Sequence, residues 1–245
     1  MSTLILRLAA PLQSWGVDSK FDRRNTGRTP SKSGVLGLCA AALGYKRIED
    51  DKINNLVNLK FGVRIDKPGV LFKDFHMAHE ESFWDYNDRS KINRDKKSDS
   101  YLTIRYYLSD AVFLVGLEGN EMFLSEINEA LHFPMYPLFL GRRCCPPEGR
   151  ISLGIFSGQL RKVLEEYPRI TEIQGYNSTN KWQPRIVMDA ENHMEKNSYL
   201  ERDIPLSFNP EHRKYSFRNV YEFDSNISLY NNKATHDAFA AAEEI

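Results

Sequence analysis

Apolar residues fall in short blocks along this 245-residue chain, and the spacing within each block predicts an element. Thr3–Ala9 is rich in Leu and Ile with Arg7 its only charge, which predicts a buried strand closed by Pro11. Ser33–Leu43 is small and apolar throughout, with a serine cap candidate at its start and Gly44 after its end, the marks of a helix. Leu59–Asp66 alternates with period two and Ala111–Leu117 is apolar throughout, so both predict strands, the second more fully buried. Glu121–His132 predicts a helix with Met122, Phe123, Ile127, Ala130 and Leu131 on one side. Ile151–Gly158 predicts a strand, Gln159–Tyr167 a short helix, and Arg185–Asp189, Ser198–Leu206 and Lys214–Phe223 strand-like pieces. Strand, helix, strand, strand, helix is the order of a ferredoxin-like β-α-β-β-α-β unit.

One stretch departs from this pattern. Gly69–Tyr107 has aromatic, strand-like flanks around a polar centre, "DYNDRSKINRDKKSDS". From Arg89 to Arg105 the basic residues Arg89, Lys91, Arg94, Lys96, Lys97 and Arg105 are opposed by Asp95 and Asp99. A long hairpin with a basic tip, or a disordered loop, fits this composition. Residues 224–245 are polar and then Ala-rich, a tail that frays or docks on a partner.

Composition narrows the function classes. Formal net charge is zero, so nucleic-acid binding must come from local clusters and not from the whole-chain field. Three cysteines, two of them adjacent, fit neither a disulfide framework nor a zinc site and point to a reducing compartment. The N-terminus lacks a basic leader, and the longest apolar run, Val35–Leu43, is too short to span a bilayer. The expectation is a soluble cytoplasmic protein with no membrane partner.

Four motifs carry candidate chemistry. "GRTPSKSG" fails as a phosphate loop, because its spacing is short and Pro30 removes a backbone donor. It survives as a helix N-terminus beside Lys32 and Ser33, which is either an anion grip or an ordinary capped core helix. "PLQSWG" places Ser14 and Trp15 after the first strand, with Trp15 a core anchor or a base-stacking platform. Lys20, Arg23, Arg24 and Arg28 follow closely. "GRRCCPP" sets Arg142 and Arg143 in a turn suited to bidentate phosphate contacts, or to plain solvation. "RYYLSD" puts Arg105 and Tyr106 on a strand, where Tyr106 and Tyr107 point to opposite faces and only one can meet a ligand. His76 and His79 have metal-like spacing, but a strand directs them apart. No catalytic constellation, metal site or cofactor motif appears.

Together "LRLAAPLQSWG", "PSKSGVLGLCAAALG", "YLTIRYYLSDAVFLVGLEG" and "PLFLGRRCCPP" resemble the CasD family, the Cascade subunit of type I-E CRISPR systems within the RAMP superfamily. The resemblance covers residues 4–158 strongly and the rest loosely. It implies an α+β, RRM-like ferredoxin fold over residues 1–158 with a protruding β-hairpin thumb at about 70–107. Residues 159–245 would form a β-rich extension or a second small subdomain. It implies a non-catalytic cap on the 5′ handle of a CRISPR RNA, seated between the large subunit and a backbone subunit, near the target DNA at the guide's 5′ end. RNA contacts are then expected at Ser14, Trp15, Arg24, Lys32, Ser33, Arg105, Tyr106, Arg142 and Arg143, with the basic residues from Arg89 to Lys97 in the thumb. The competing hypotheses are a metal-independent endoribonuclease that cuts the repeat and an RRM-like RNA-binding protein outside CRISPR.

Overall fold

The computed structural model describes residues 1–16, 22–79, 100–170, 183–190 and 198–225. In chain order the elements are β1 (Ser2–Ala9), β2 (Leu12–Gln13), β3 (Arg23–Arg24), α1 (Lys32–Ala42), α2 (Asp50–Val57), β4 (Lys60–Lys67), β5 (Val70–His79), β6 (Ser100–Ser109), β7 (Val112–Gly119), α3 (Glu121–His132), β8 (Ser152–Ser157), α4 (Leu160–Glu166), β9 (Arg185–Asp189), β10 (Ser198–Ser207) and β11 (Lys214–Asp224). The result is a mixed α+β fold built mainly on antiparallel sheet.

Seven strands form one sheet in the order β10-β11-β9-β4-β7-β1-β8. β7 runs antiparallel to β1, from Ser2↔Gly119 to Ala9↔Val112, and pairs on its other edge with β4. The three C-terminal strands continue the same sheet, with β9 antiparallel to β4 over Gly62↔Met188 to Ile65↔Arg185. β1 alternates poorly because both its faces are buried. Leu4, Leu6 and Leu8 join the main core with α1 and α3, whereas Ile5 joins Leu114, Leu160, Leu164 and Ile186 beneath α4. A second, smaller sheet holds β6, which pairs with β5 over Val70↔Ser109 to His79↔Ser100 on one edge. Its other edge receives β2 and, in parallel, β3. The basic centre of this stretch, including Arg89, Lys91, Arg94, Lys96 and Lys97, lies outside the described residues, as does the tail after Ser225.

Helix ends follow local chemistry. Ser31 caps α1 by accepting the Gly34 N–H at 3.2 Å. At the other end the Tyr45 N–H reaches Ala40 O and the Gly44 N–H reaches Ala41 O, a Schellman motif that needs the positive φ (75°) of Gly44. Asn120 caps α3 through the Met122 and Phe123 N–H groups. The buried stripe of α3 is Leu124, Ile127 and Leu131, which corrects the expected one: Met122 sits in the first turn on the outer side and is 83% exposed. Helix α2 has no counterpart among the expected elements, since it buries only Ile53 and Leu56 among polar residues.

Two buried ionic groups lock the sheet to its surroundings. Arg64 and Asp66, both fully buried on β4, form a bidentate pair at 2.6 and 2.9 Å. Arg64 also donates to the carbonyls of Leu164, Tyr167 and Pro168, which terminates α4. On the opposite side Arg218 of β11 donates to Asp203 at 2.6 and 2.9 Å and to Asp189 at 2.7 Å.

Candidate functional site

Three of the four sequence motifs, and the arginine run that follows the first strand, meet around the inner end of β6. Its last residues pair with Leu12 and Gln13 of β2, and Arg105 stands in register with Arg24 of β3. Registered neighbours share a face, and so do residues two apart on a strand. Arg24, Arg105 and Tyr107 therefore lie on one face of the small sheet. The turn after Leu140 closes over that face. Arg142 lies 4.6 Å above the Tyr107 ring and donates from Nη2 to the Arg24 carbonyl at 2.9 Å. Arg143 is exposed beside it, and Arg23 and Arg28 are exposed nearby. The neighbouring carboxylates are Asp22, next to β3, and Asp74, in register with Arg105 on β5.

Gly141 makes this approach possible. Its φ is +87°, and a Cβ there would stand 1.6 Å from the Ser14 carbonyl oxygen. The turn is thus pressed on the "PLQSWG" loop, with the Ser14 N–H donating to Leu140 O at 3.1 Å. The cluster also contains two unsatisfied donors: Arg105 Nε and Arg142 Nη1 are buried without a hydrogen-bond partner among the described residues. A buried guanidinium N–H left unpaired is costly, and a charge-assisted bond to an anion is what would satisfy such a donor.

The other expected contacts lie elsewhere. Trp15 is a core anchor: it is 1% exposed, its Nε1 donates to Gln13 Oε1 at 3.2 Å, and its ring lies against Gly34 in the first turn of α1. No base can stack on a face already covered. Ser14 is equally buried, its hydroxyl donating to Tyr106 O at 3.3 Å. Tyr106 is half-buried on the reverse face of β6 from Arg105, so the tyrosine beneath the arginines is Tyr107. Ser33 is half-buried, with its hydroxyl 3.5 Å from that of Ser31.

Lys32 requires the largest revision. Its side chain is buried and its ammonium pairs with Asp189 at 3.0 Å. Its backbone N–H, the donor that would grip a phosphate, gives its hydrogen to Asp203 Oδ2 at 2.7 Å. The helix N-terminus does hold an anion, but the anion is a carboxylate of β10. Sequence reasoning misses Asp189, Asp203 and Arg218. The signal available is charge set within strand-like blocks: at the end of "RIVMD", in the Glu-Arg-Asp run of "LERDIPL", and alone inside "YSFRNVY". Glu201, 3.4 Å from Arg218, completes the group, and its carboxyl is raised by burial and then by Asp203.

Among the described residues no three His, Cys, Asp or Glu side chains converge on a metal position, and no helix is long and apolar enough to cross a membrane. The arrangement presents cationic forks over an aromatic ring, suited to phosphate groups.

A family model for CRISPR-associated protein (Cas_Cas5) matches residues 3–221. Over 161 residues the sequence is 37% identical to CRISPR system Cascade subunit CasD of Escherichia coli strain K12, covering 62% of this chain and 70% of that protein. A crystal structure of a Cas protein superposes with a TM-score of 0.67 at 36% identity, over 91% of this chain and 94% of that one. A chain of a CRISPR RNA-guided surveillance complex superposes with a TM-score of 0.71 at 31% identity, over 91% and 90%.

Proposed function

The chain belongs to the CRISPR-associated Cas5 family that includes CasD, and on that premise we propose that it is a Cascade subunit that binds and caps the 5′ handle of a CRISPR RNA without cutting it. The observation that carries this reading is the arginine cluster with its two unsatisfied guanidinium donors. Single-stranded RNA is held by phosphate contacts and splayed bases, and planar guanidinium groups match phosphate in bidentate fashion. Arg24, Arg105, Arg142 and Arg143 are assigned to phosphate, with Tyr107 holding the Arg142 plane. Lys32, Ser14 and Trp15 support the site from behind.

The strand order β4-β7-β1-β8, with α1 and α3 between them in sequence, supports a ferredoxin-like, RRM-related unit over residues 1–158, extended by residues 159–245. The paired strands β5 and β6 are then the base of the thumb, whose basic residues would cross the RNA at the adjoining backbone subunit. The remaining surfaces would meet the large subunit and target DNA near the guide's 5′ end.

Fluorescence anisotropy with a labelled handle RNA, over a salt series, tests the assignment. Arg105→Ala with Arg142→Ala and Arg143→Ala weakens binding and flattens the plot of log K against log salt by about 0.7 for each phosphate no longer neutralised. Unchanged affinity and slope remove these residues from the site. Specific cleavage of repeat RNA by the purified chain overturns the non-catalytic part in favour of an endoribonuclease.

A further inference from the structure

Cys144 and Cys145 are adjacent free thiols, the first exposed and the second buried, with their sulfurs 3.9 Å apart. The RNA-binding role leaves them unused. Cys145 is held by its backbone: its N–H donates to Arg142 O at 2.9 Å, and its carbonyl accepts from Leu140 N at 2.8 Å. Cys144 instead meets the Tyr107 hydroxyl through its sulfur at 3.6 Å. That hydroxyl belongs to the ring on which Arg142 lies. The thiol pair is thus joined to Arg142 twice, along the turn and through the aromatic ring.

We infer that Cys144 and Cys145 form a reversible oxidation site, closed to a vicinal disulfide by a peroxide, and that closure weakens the hold of the arginine cluster on RNA. The regulatory half rests on the RNA-binding reading; the disulfide does not.

The chemistry balances with peroxide as the oxidant. The Cys144 thiolate attacks one peroxide oxygen, the O–O bond breaks, and a sulfenic acid and hydroxide result, the hydroxide taking up the proton that Cys144 released to give the first water. Cys145 Sγ then attacks that sulfur, the S–O bond breaks, and hydroxide leaves with the Cys145 proton as a second water. Two thiols and one hydrogen peroxide become a disulfide and two waters, with two electrons passing from sulfur to oxygen. Burial, and then the neighbouring Cys144, pushes the Cys145 thiol up to about 12, so the exposed Cys144 is the thiol that meets peroxide first.

Closure takes the sulfurs from 3.9 Å to about 2.05 Å. With Cys145 tethered at both N–H and carbonyl, Cys144 moves, leaves the Tyr107 hydroxyl and pulls on the turn that carries Arg142. Adjacent Cα atoms are about 3.8 Å apart, below the roughly 4.4 Å lower end for relaxed disulfides. Such a bond is strained and readily reduced, as in labile regulatory disulfides.

The test uses the full chain, reduced or treated with hydrogen peroxide and desalted. Peptide masses should show loss of two hydrogens in the Cys144–Cys145 peptide, restored by dithiothreitol and absent in Cys144→Ser. Anisotropy with a labelled single-stranded RNA should show about tenfold weaker binding after oxidation, the loss of roughly one charge-assisted hydrogen bond. The Cys144→Ser affinity should not respond to peroxide. Conversion of Cys144 to sulfinic acid without the two-hydrogen loss overturns the disulfide. The mass loss with unchanged affinity overturns the coupling to Arg142. A reduced chain that fails to bind RNA overturns the functional reading and the coupling with it, while the mass result still decides the oxidation site.

Discussion

Asp203→Asn probes the junction between the C-terminal strands and the rest of the sheet with almost no change of shape. Asp203 is 4% exposed, and both its oxygens accept only: Oδ1 from Arg218 Nε at 2.6 Å, Oδ2 from Arg218 Nη2 at 2.9 Å and from the Lys32 N–H at 2.7 Å. An asparagine must turn its NH2 toward one of these donors, so either the Arg218 fork or the α1 N-terminus loses its acceptor. Total charge is not the difficulty, since Lys32 and Arg218 would still face Asp189 and Glu201. What disappears is the hydrogen bond itself, in a region where water cannot replace it. Leaving a buried donor without its acceptor costs about 1–3 kcal/mol, and more when the donor is a charged guanidinium, so a loss of about 3–5 kcal/mol is expected here. In a chain of this size each kcal/mol moves Tm by about 2–4 °C, so thermal unfolding followed by circular dichroism should shift down by roughly 6–20 °C. Lys162→Ala, which removes an exposed 3.8 Å pair with Glu166, should leave Tm unchanged and serves as the control. An Asp203→Asn chain that melts with the parent would mean that water reaches the network, and the argument for Lys32 as an internal residue would fall.

Three further outcomes follow from the same geometry. Glu201 has its carboxyl raised above the ordinary 4.5, so the folded chain binds an extra proton just above that pH and stability falls as pH rises through the window. Glu201→Gln should flatten that fall in a Tm-versus-pH series, and an unaltered profile would refute the assignment. Burial pushes the Cys39 and Cys145 thiols up to about 12, so iodoacetamide at pH 8 should add one label to the native chain, at Cys144, and three after denaturation; rapid native labelling of all three, read by intact mass, would contradict it. Trp15→Ala should destabilise the fold by about 3–5 kcal/mol in urea unfolding, as for a buried aromatic, whereas a stable variant defective only in RNA binding would restore Trp15 as a stacking platform.

Much of the architecture is local and so is legible in the chain. A serine before the small apolar helix, and Gly44 after it, announce its ends because caps involve only neighbouring residues. The flanks of the Gly69–Tyr107 stretch read as strands because β5 and β6 alternate or are aromatic along most of their length. Helix α2 is not legible, since an eight-residue helix with two buried side chains has too little periodicity.

The sequence by itself determined the arginine-bearing turn, the small apolar helix and the strands that support them, because propensity, capping and spacing operate within a few residues. Only the tertiary structure decided which charges face outward. "PSKSG" reads the same whether its helix N-terminus meets a ligand or, as here, Asp203, which lies 171 residues along the chain from Lys32. Arg142 reads the same whether it is solvated or laid over Tyr107 and tied to a carbonyl 118 residues earlier. A buried charge must find its counter-charge wherever the fold brings one, and that distance in sequence puts it beyond the reach of any local pattern.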